Sequence, residues 1–245
     1  MSSPDPKVVF VTGGTRGIGL GIAHAFAAEG ARVVVGGRST PNGLGLPVIP
    51  ADIRDSEAAQ QAIDRVVDDY GRIDVLINNA GGSPPADSST ASPRFSEAIL
   101  RLNLLAPLVL AQRANHHMQA SGSGVIVNIC SVSGLRASPT TAAYGAAKAG
   151  LLNLTKTLAI EWAPRVRVCA ITPGLVATEH SLDHYPNPDR VAATVPLGRF
   201  GTPDDVARAA VWMASDAASY VTGANLVLDG GGEWPAFLRA AQEDT

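Results

Sequence analysis

Short runs of β-branched and other apolar residues alternate along this chain with longer segments whose apolar positions recur every three or four residues. The short runs predict strands over Lys7–Thr12, Arg32–Gly36, Pro47–Ala51, Ile73–Ile77, Val125–Cys130, Val166–Ile171 and Leu226–Leu228. The early ones are apolar throughout rather than alternating, the pattern of strands covered on both sheet faces. Between the first two, Ile18, Ile22, Ala25 and Phe26 share one helical face, and Glu29-Gly30 supplies a stop. The Ala-rich segment Thr141 to Ala163 reads as a long helix. Thr202-Pro203-Asp204-Asp205 opens another, with Thr202 as cap, Pro203 in the first turn and two acids at the positive end of the dipole. Such alternation predicts an α/β fold, a doubly wound parallel seven-stranded sheet with helices on both faces. No composition break divides the chain, so residues 1–245 read as a single domain, with frayed ends at Met1–Asp5 and Ala240–Thr245.

Composition narrows the function. Of the 245 residues 46% are hydrophobic and 17% charged, enough apolar material for a sizeable core and too much for a disordered chain. A net charge of −3 leaves no basic footprint for a phosphate backbone, which argues against a nucleic-acid binder. Cys130 and Cys169 both lie in apolar runs and read as buried core residues, without metal-ligand spacing. Met1 to Lys7 lacks the basic-then-apolar pattern of a signal peptide. The most apolar long stretch, Ala98 to Gln112, contains Arg101, Asn103 and Pro107 and does not read as a membrane span. A cytoplasmic location, with no membrane partner, is the expectation.

The chemistry begins at Thr12-Gly13-Gly14-Thr15-Arg16-Gly17-Ile18-Gly19, which follows the first strand and opens the first helix. Glycines there let the backbone approach a pyrophosphate, and free N–H groups with the helix dipole favour its charge. The spacing is not GxGxxG, but its place after strand one points to a Rossmann-type dinucleotide site. An NAD-specific site places an acid at the end of the second strand for the ribose 2′-hydroxyl. This chain has Gly36-Gly37-Arg38-Ser39 instead. Arg38 suits a 2′-phosphate, and Arg16 adds a second positive charge, so NADP(H) is the expected cofactor, with NAD(H) the alternative.

Tyr144 and Lys148 lie four apart on the long helix, so both side chains stack on one face. A tyrosine titrates near pH ~10 when unperturbed, and a nearby ammonium lowers that value, making Tyr144 a usable acid or base. With these residues the chain resembles the short-chain dehydrogenase/reductase family from Lys7 to about Gly232. The matching motifs are Thr12–Gly19, Asn78-Asn79-Ala80-Gly81, Asn103, Ser131, Tyr144…Lys148, Pro173-Gly174, Thr178, Tyr220-Val221-Thr222-Gly223 and Asp229-Gly230-Gly231.

The resemblance implies roles. Ser131 would polarise the substrate carbonyl, and Tyr144 would give or take the proton. Lys148 would hold the nicotinamide ribose and lower the Tyr144 pKa, while Asn103 would hold a water for proton relay. Gly13, Thr15, Arg16, Gly17, Ile18 and Gly19 would cradle the phosphates. Asp52 and Ile53 would contact the adenine, and Asn79, Ala80 and Gly81 the adenosine ribose. Pro173, Gly174, Val176 and Thr178 would embrace the nicotinamide. Asn78 reads as a buried strand-pinning residue instead.

Two segments depart from the family pattern. Gly37 to Leu46 is too short for the usual helix, and Pro41, Gly43 and Gly45 oppose one. The substrate lid, about 176–196, is short and carries His180, His184 and Tyr185; the two histidines lack a third metal ligand. His116-His117 near a helix end favour a dipole or surface role. The sparsely charged Tyr144 helix calls for burial on more than one face, and with the resemblance it implies a homotetramer or homodimer. The expected reaction is hydride transfer between NADP(H) and a ketone or secondary alcohol, with a 3-oxoacyl thioester as leading substrate. An NAD-dependent polyol, steroid or secondary-metabolite dehydrogenase is the alternative. A non-catalytic NADP-sensing protein is disfavoured by the intact Ser131, Tyr144 and Lys148.

Overall fold

The protein is described from a computed structural model covering residues 5–179, 181 and 185–234. All seven expected strands form: β1 (Val8–Thr12), β2 (Arg32–Gly37), β3 (Val48–Pro50), β4 (Val75–Asn78), β5 (Gly124–Ile129), β6 (Val166–Pro173) and β7 (Asn225–Leu228). They make one parallel sheet in the order β3-β2-β1-β4-β5-β6-β7. β6 outruns its expected end at Ile171 because Thr172 and Pro173 continue the ladder beside Val227 and Leu228. Proline is tolerated there because it closes the strand.

The two-residue period of each strand sorts its side chains into two cores. Val8 and Phe10 of β1 face one side with Val34, Leu76, Ile126 and Val168. Val9 and Val11 face the other with Val33, Val35, Ile77, Val127 and Ile171. The first side is covered by α2 (Ser56–Tyr70), α4 (Ala106–Ser121) and α5 (Ala142–Trp162), through Ile63, Val66, Leu110, Met118 and Leu158. The second is covered by α1 (Gly17–Ala28) and α7 (Pro203–Met213), through Ile22, Phe26, Val206, Ala210 and Met213. Shorter helices are α3 (Pro93–Leu100) and α6 (Pro188–Ala192).

Local chemistry explains the boundaries. Asp55 caps α2 by accepting from the Glu57 and Ala58 N–H groups. Thr202 caps α7 as expected, and the Asp205 side chain returns the bond in a reciprocal capping box. Gly30 adopts φ +81 just beyond α1. Gly37 to Leu46 forms no helix. Between α3 and α4 the helix widens into a π-turn over Arg101–Leu105, so Pro93–Ser121 is one helical stretch of 29 residues. It is long and apolar enough to cross a membrane, yet Leu110, Ala111, Ala114 and Met118 are spent on the sheet face, which makes α4 a core helix. His117 Nε2 lies 2.9 Å from Asp64 of α2, beside Arg113 on the same carboxylate.

Candidate active site

Strand order reverses between β1 and β4, and a cleft of about 710 Å³ opens along the carboxyl ends of the strands there. Its size suits a dinucleotide-scale ligand. The glycine turn lines it through Gly13, Thr15, Arg16, Gly17, Ile18 and Gly19. Arg38 follows β2; Asp52 and Ile53 follow β3; Asn79, Ala80 and Gly81 follow β4. Ser131, Tyr144 and Lys148 close the far end, with Pro173 at the end of β6 and Gly174 and Thr178 beyond it.

The turn is built for close approach of a ligand's backbone-sized groups. Gly13 has φ +63, and a Cβ there would lie 2.9 Å from the Ala80 Cα. A Cβ on Gly19 would lie 2.3 Å from the Gly13 carbonyl oxygen. Asn79 holds this geometry, its Nδ2 donating to the Thr12 oxygen at 2.9 Å and the Gly13 oxygen at 3.2 Å. Arg16 starts α1 without any side-chain cap, so the first N–H groups of the helix are left for a ligand.

At the other end, α5 carries Tyr144 and Lys148 one turn apart against the end of β5. The Lys148 Nζ donates to the Ile129 oxygen at 2.8 Å and lies 5.6 Å from the centre of the Tyr144 ring. The Ser131 hydroxyl accepts from the Ser133 N–H at 3.2 Å and lines the same end of the cleft as Tyr144. Burial pushes Lys148 down to about 8, well below an ordinary ammonium. Burial also raises Tyr144, with the Ser131 hydroxyl pulling the other way. Both groups sit in one poorly hydrated corner, where burial disfavours the charged form of each.

Two expected site residues lie outside the cleft lining. Asn103 is fully buried and does not line the cleft. Its Nδ2 donates to the Gly82 and Ile99 oxygens, both at 3.0 Å, and its Oδ1 accepts from the Gly82 N–H at 2.8 Å. With both amide hydrogens spent, the side chain anchors the Gly81-Gly82 loop beside Lys148. Val176 also lies off the cleft, buried in the core with α7 and bridged to Gly201. Asn78 is the strand pin expected of it, donating to Pro107 and Asn128. Tyr185 of the lid packs on Phe200 at 5.8 Å between ring centres. His180 and His184 lie outside the described residues.

Sequence reasoning missed Arg54 and Cys130, which also line the cleft. Cys130 is a buried free thiol pushed up to about 11 by burial, as is Cys169 upward, so neither is a ready nucleophile. Its position beside Ser131 was the available signal. Arg54 carried none, since its place in the cleft depends on how β3 ends.

A family model described as enoyl-(acyl carrier protein) reductase matches residues 13–233. The chain belongs to the short-chain dehydrogenase/reductase family. D-Threitol dehydrogenase of Mycolicibacterium smegmatis is 37% identical over 93% of each chain. The 3-oxoacyl-[acyl-carrier-protein] reductase of Thermotoga maritima is 38% identical over 92% of this chain and 97% of its own. Aldohexose dehydrogenase of Thermoplasma acidophilum, solved in ligand-free form, superposes with a TM-score of 0.88 at 31% identity, covering 92% and 93% of the two chains. As a short-chain dehydrogenase/reductase, the protein is an oxidoreductase of alcohols and ketones that uses a nicotinamide dinucleotide. The glycine cradle, the uncapped helix and the cleft volume fit that cofactor.

Proposed function

We propose that this short-chain dehydrogenase/reductase is an NADP(H)-dependent ketone reductase whose substrate is a 3-oxoacyl thioester. The observation that carries the reading is that one cleft holds Tyr144, Ser131 and Lys148 at one end and Arg16 and Arg38, free of any carboxylate at the end of β2, at the other. When bound, the nicotinamide supplies the hydride in reduction or takes it in oxidation. The Ser131 hydroxyl donates a hydrogen bond to the substrate oxygen and holds it beside Tyr144. In reduction the Tyr144 hydroxyl gives its proton to that oxygen; in oxidation the phenolate takes it back. Lys148, tethered to Ile129, stands ready to stabilise the phenolate, and Asn103 holds the Gly81-Gly82 loop that abuts it. Pro173 and Gly174 wall the reacting end.

For the thioester, support comes from the acyl-carrier-protein description of the family model and from the Thermotoga relative. A 3-oxoacyl N-acetylcysteamine thioester should oxidise NADPH in the presence of the enzyme faster than threitol or a 3β-hydroxysteroid reduces NADP. The reverse order would replace the substrate assignment and keep the chemistry. For the cofactor, fluorescence titration should give tighter NADPH than NADH binding; equal affinity would withdraw the NADP assignment.

The same proposal places the protein in the cytoplasm as a homotetramer. Ile160 on α5, 82% exposed, and Leu105 where the π-turn meets α4 leave apolar side chains in solvent. Val227 of β7 and Tyr220 do so at the sheet edge. Light scattering at micromolar concentration should give four times the chain mass; a monomeric mass would sink this part.

A further inference from the structure

We infer that Arg54 is a specificity-determining residue, which silences the Asp52 carboxylate and thereby keeps Arg38 available for the 2′-phosphate of NADP(H). This deepens the cofactor assignment and rests on it. The absence of an acid at the end of β2 is only half of what a phosphate needs, because the end of β3 brings the Asp52 carboxylate into the same part of the cleft as Arg38. An unpaired carboxylate there would repel a phosphate and compete with it for the nearest cation.

The structure shows how that competition is removed. Asp52 and Arg54 form a two-pronged pair: Arg54 Nε donates to Asp52 Oδ1 at 2.9 Å and Oδ2 at 3.1 Å, and its Nη2 donates to Oδ2. The Arg54 backbone N–H adds a bond to Oδ1 at 3.1 Å, so both carboxylate oxygens are taken. Planar guanidinium and carboxylate match in this geometry, as a lysine there would not. Arg38 also acts on Asp52 through space, but its side chain makes no hydrogen bond or ion pair among the described residues, and neither does that of Arg16. The Asp52 carboxyl titrates below its ordinary value chiefly because of Arg54, with Arg38 a minor contributor. Without Arg54, Arg38 is the next cation within reach, and pairing it with Asp52 would withdraw it from the ligand.

Direct fluorescence titration of NADPH and NADH on wild type, Arg54→Gln, Asp52→Asn and Asp52→Asn/Arg54→Gln tests this without reference to turnover. The readout is the ratio of the NADH to the NADPH dissociation constant, which cancels any effect on adenine binding common to both. Arg54→Gln should lower the ratio about five- to tenfold, the scale of one charge at a partly solvated site. The double variant should return it to within about twofold of wild type, because removing the carboxylate makes its partner unnecessary. If wild type itself shows a ratio near one, the NADP(H) assignment falls and this inference with it. If wild type prefers NADPH while Arg54→Gln leaves the ratio unchanged, or the double variant stays as low as the single, the assignment stands and the role of Arg54 is overturned.

Discussion

The two ends of the cleft are held together by different physics. At the reacting end, Lys148 and Asn103 are buried, and each polar atom is fixed by hydrogen bonds to the backbone of β5, α3 or the Gly82 loop. At the adenosine end, Arg16 and Arg38 are exposed, and the Asp52–Arg54 pair keeps about two-fifths of each side chain in water. The first region is rigid and desolvated, so its groups are costly to disturb and their chemistry is close to all-or-none. In the second, solvent and salt screen the charges, so its contribution is graded. Substitutions should therefore act on turnover at one end and on cofactor choice at the other.

The largest effect expected is at Tyr144. Tyr144→Phe should lower turnover by about 10³-fold, within the range for loss of a positioned acid, while NADPH titration stays within threefold. A variant that loses cofactor binding to the same degree would erase the distinction between the two ends. Asn103→Ala should come next. It strips a fully buried site of three hydrogen bonds, so denaturant unfolding should show a loss of about 3 kcal/mol, and turnover should fall as the Gly82 loop loosens beside Lys148.

Arg38→Asp probes the solvated end. The NADPH preference should collapse by about tenfold or more, with turnover at saturating cofactor little changed. In wild type the NADPH affinity should weaken with added salt more than the NADH affinity does. Salt-independent discrimination would mean that the phosphate is read in a desolvated pocket after all.

A further contrast lies in the pH dependence of stability. Unfolded Lys148 keeps its proton to about pH 10.5, and the folded protein releases it near about 8. Between these values the unfolded chain binds more protons, so stability rises with pH across the window. Comparing wild type with Lys148→Met by denaturant unfolding from pH 7 to 10, the wild type should gain on the order of 2 kcal/mol relative to the variant. A flat difference would place Lys148 in a better hydrated setting than its burial implies.

Much of the reacting end was legible along the chain because its signals are short-range. Tyr144 and Lys148 meet at a spacing of four on one helix, Ser131 stands where a strand ends, and the glycine turn sits between a strand and a helix. Positions whose role depends on distant partners were not legible. Nothing along the chain shows that Gly82 and Ile99 bind the Asn103 amide, that Val176 bridges to Gly201 or that Asp64 of α2 meets His117.

By itself the sequence determined the order and kind of the elements, the doubly wound sheet and the Tyr144–Lys148 pair, because periodicity, capping and i,i+4 spacing are properties of neighbouring residues. Only the tertiary structure decided the sign of the Tyr144 shift, the fate of the Asn103 amide and the meeting of Asp52, Arg54 and Arg38 at one end of the cleft. Desolvation and charge pairing depend on which segments are packed together, and separations along the chain do not carry that information.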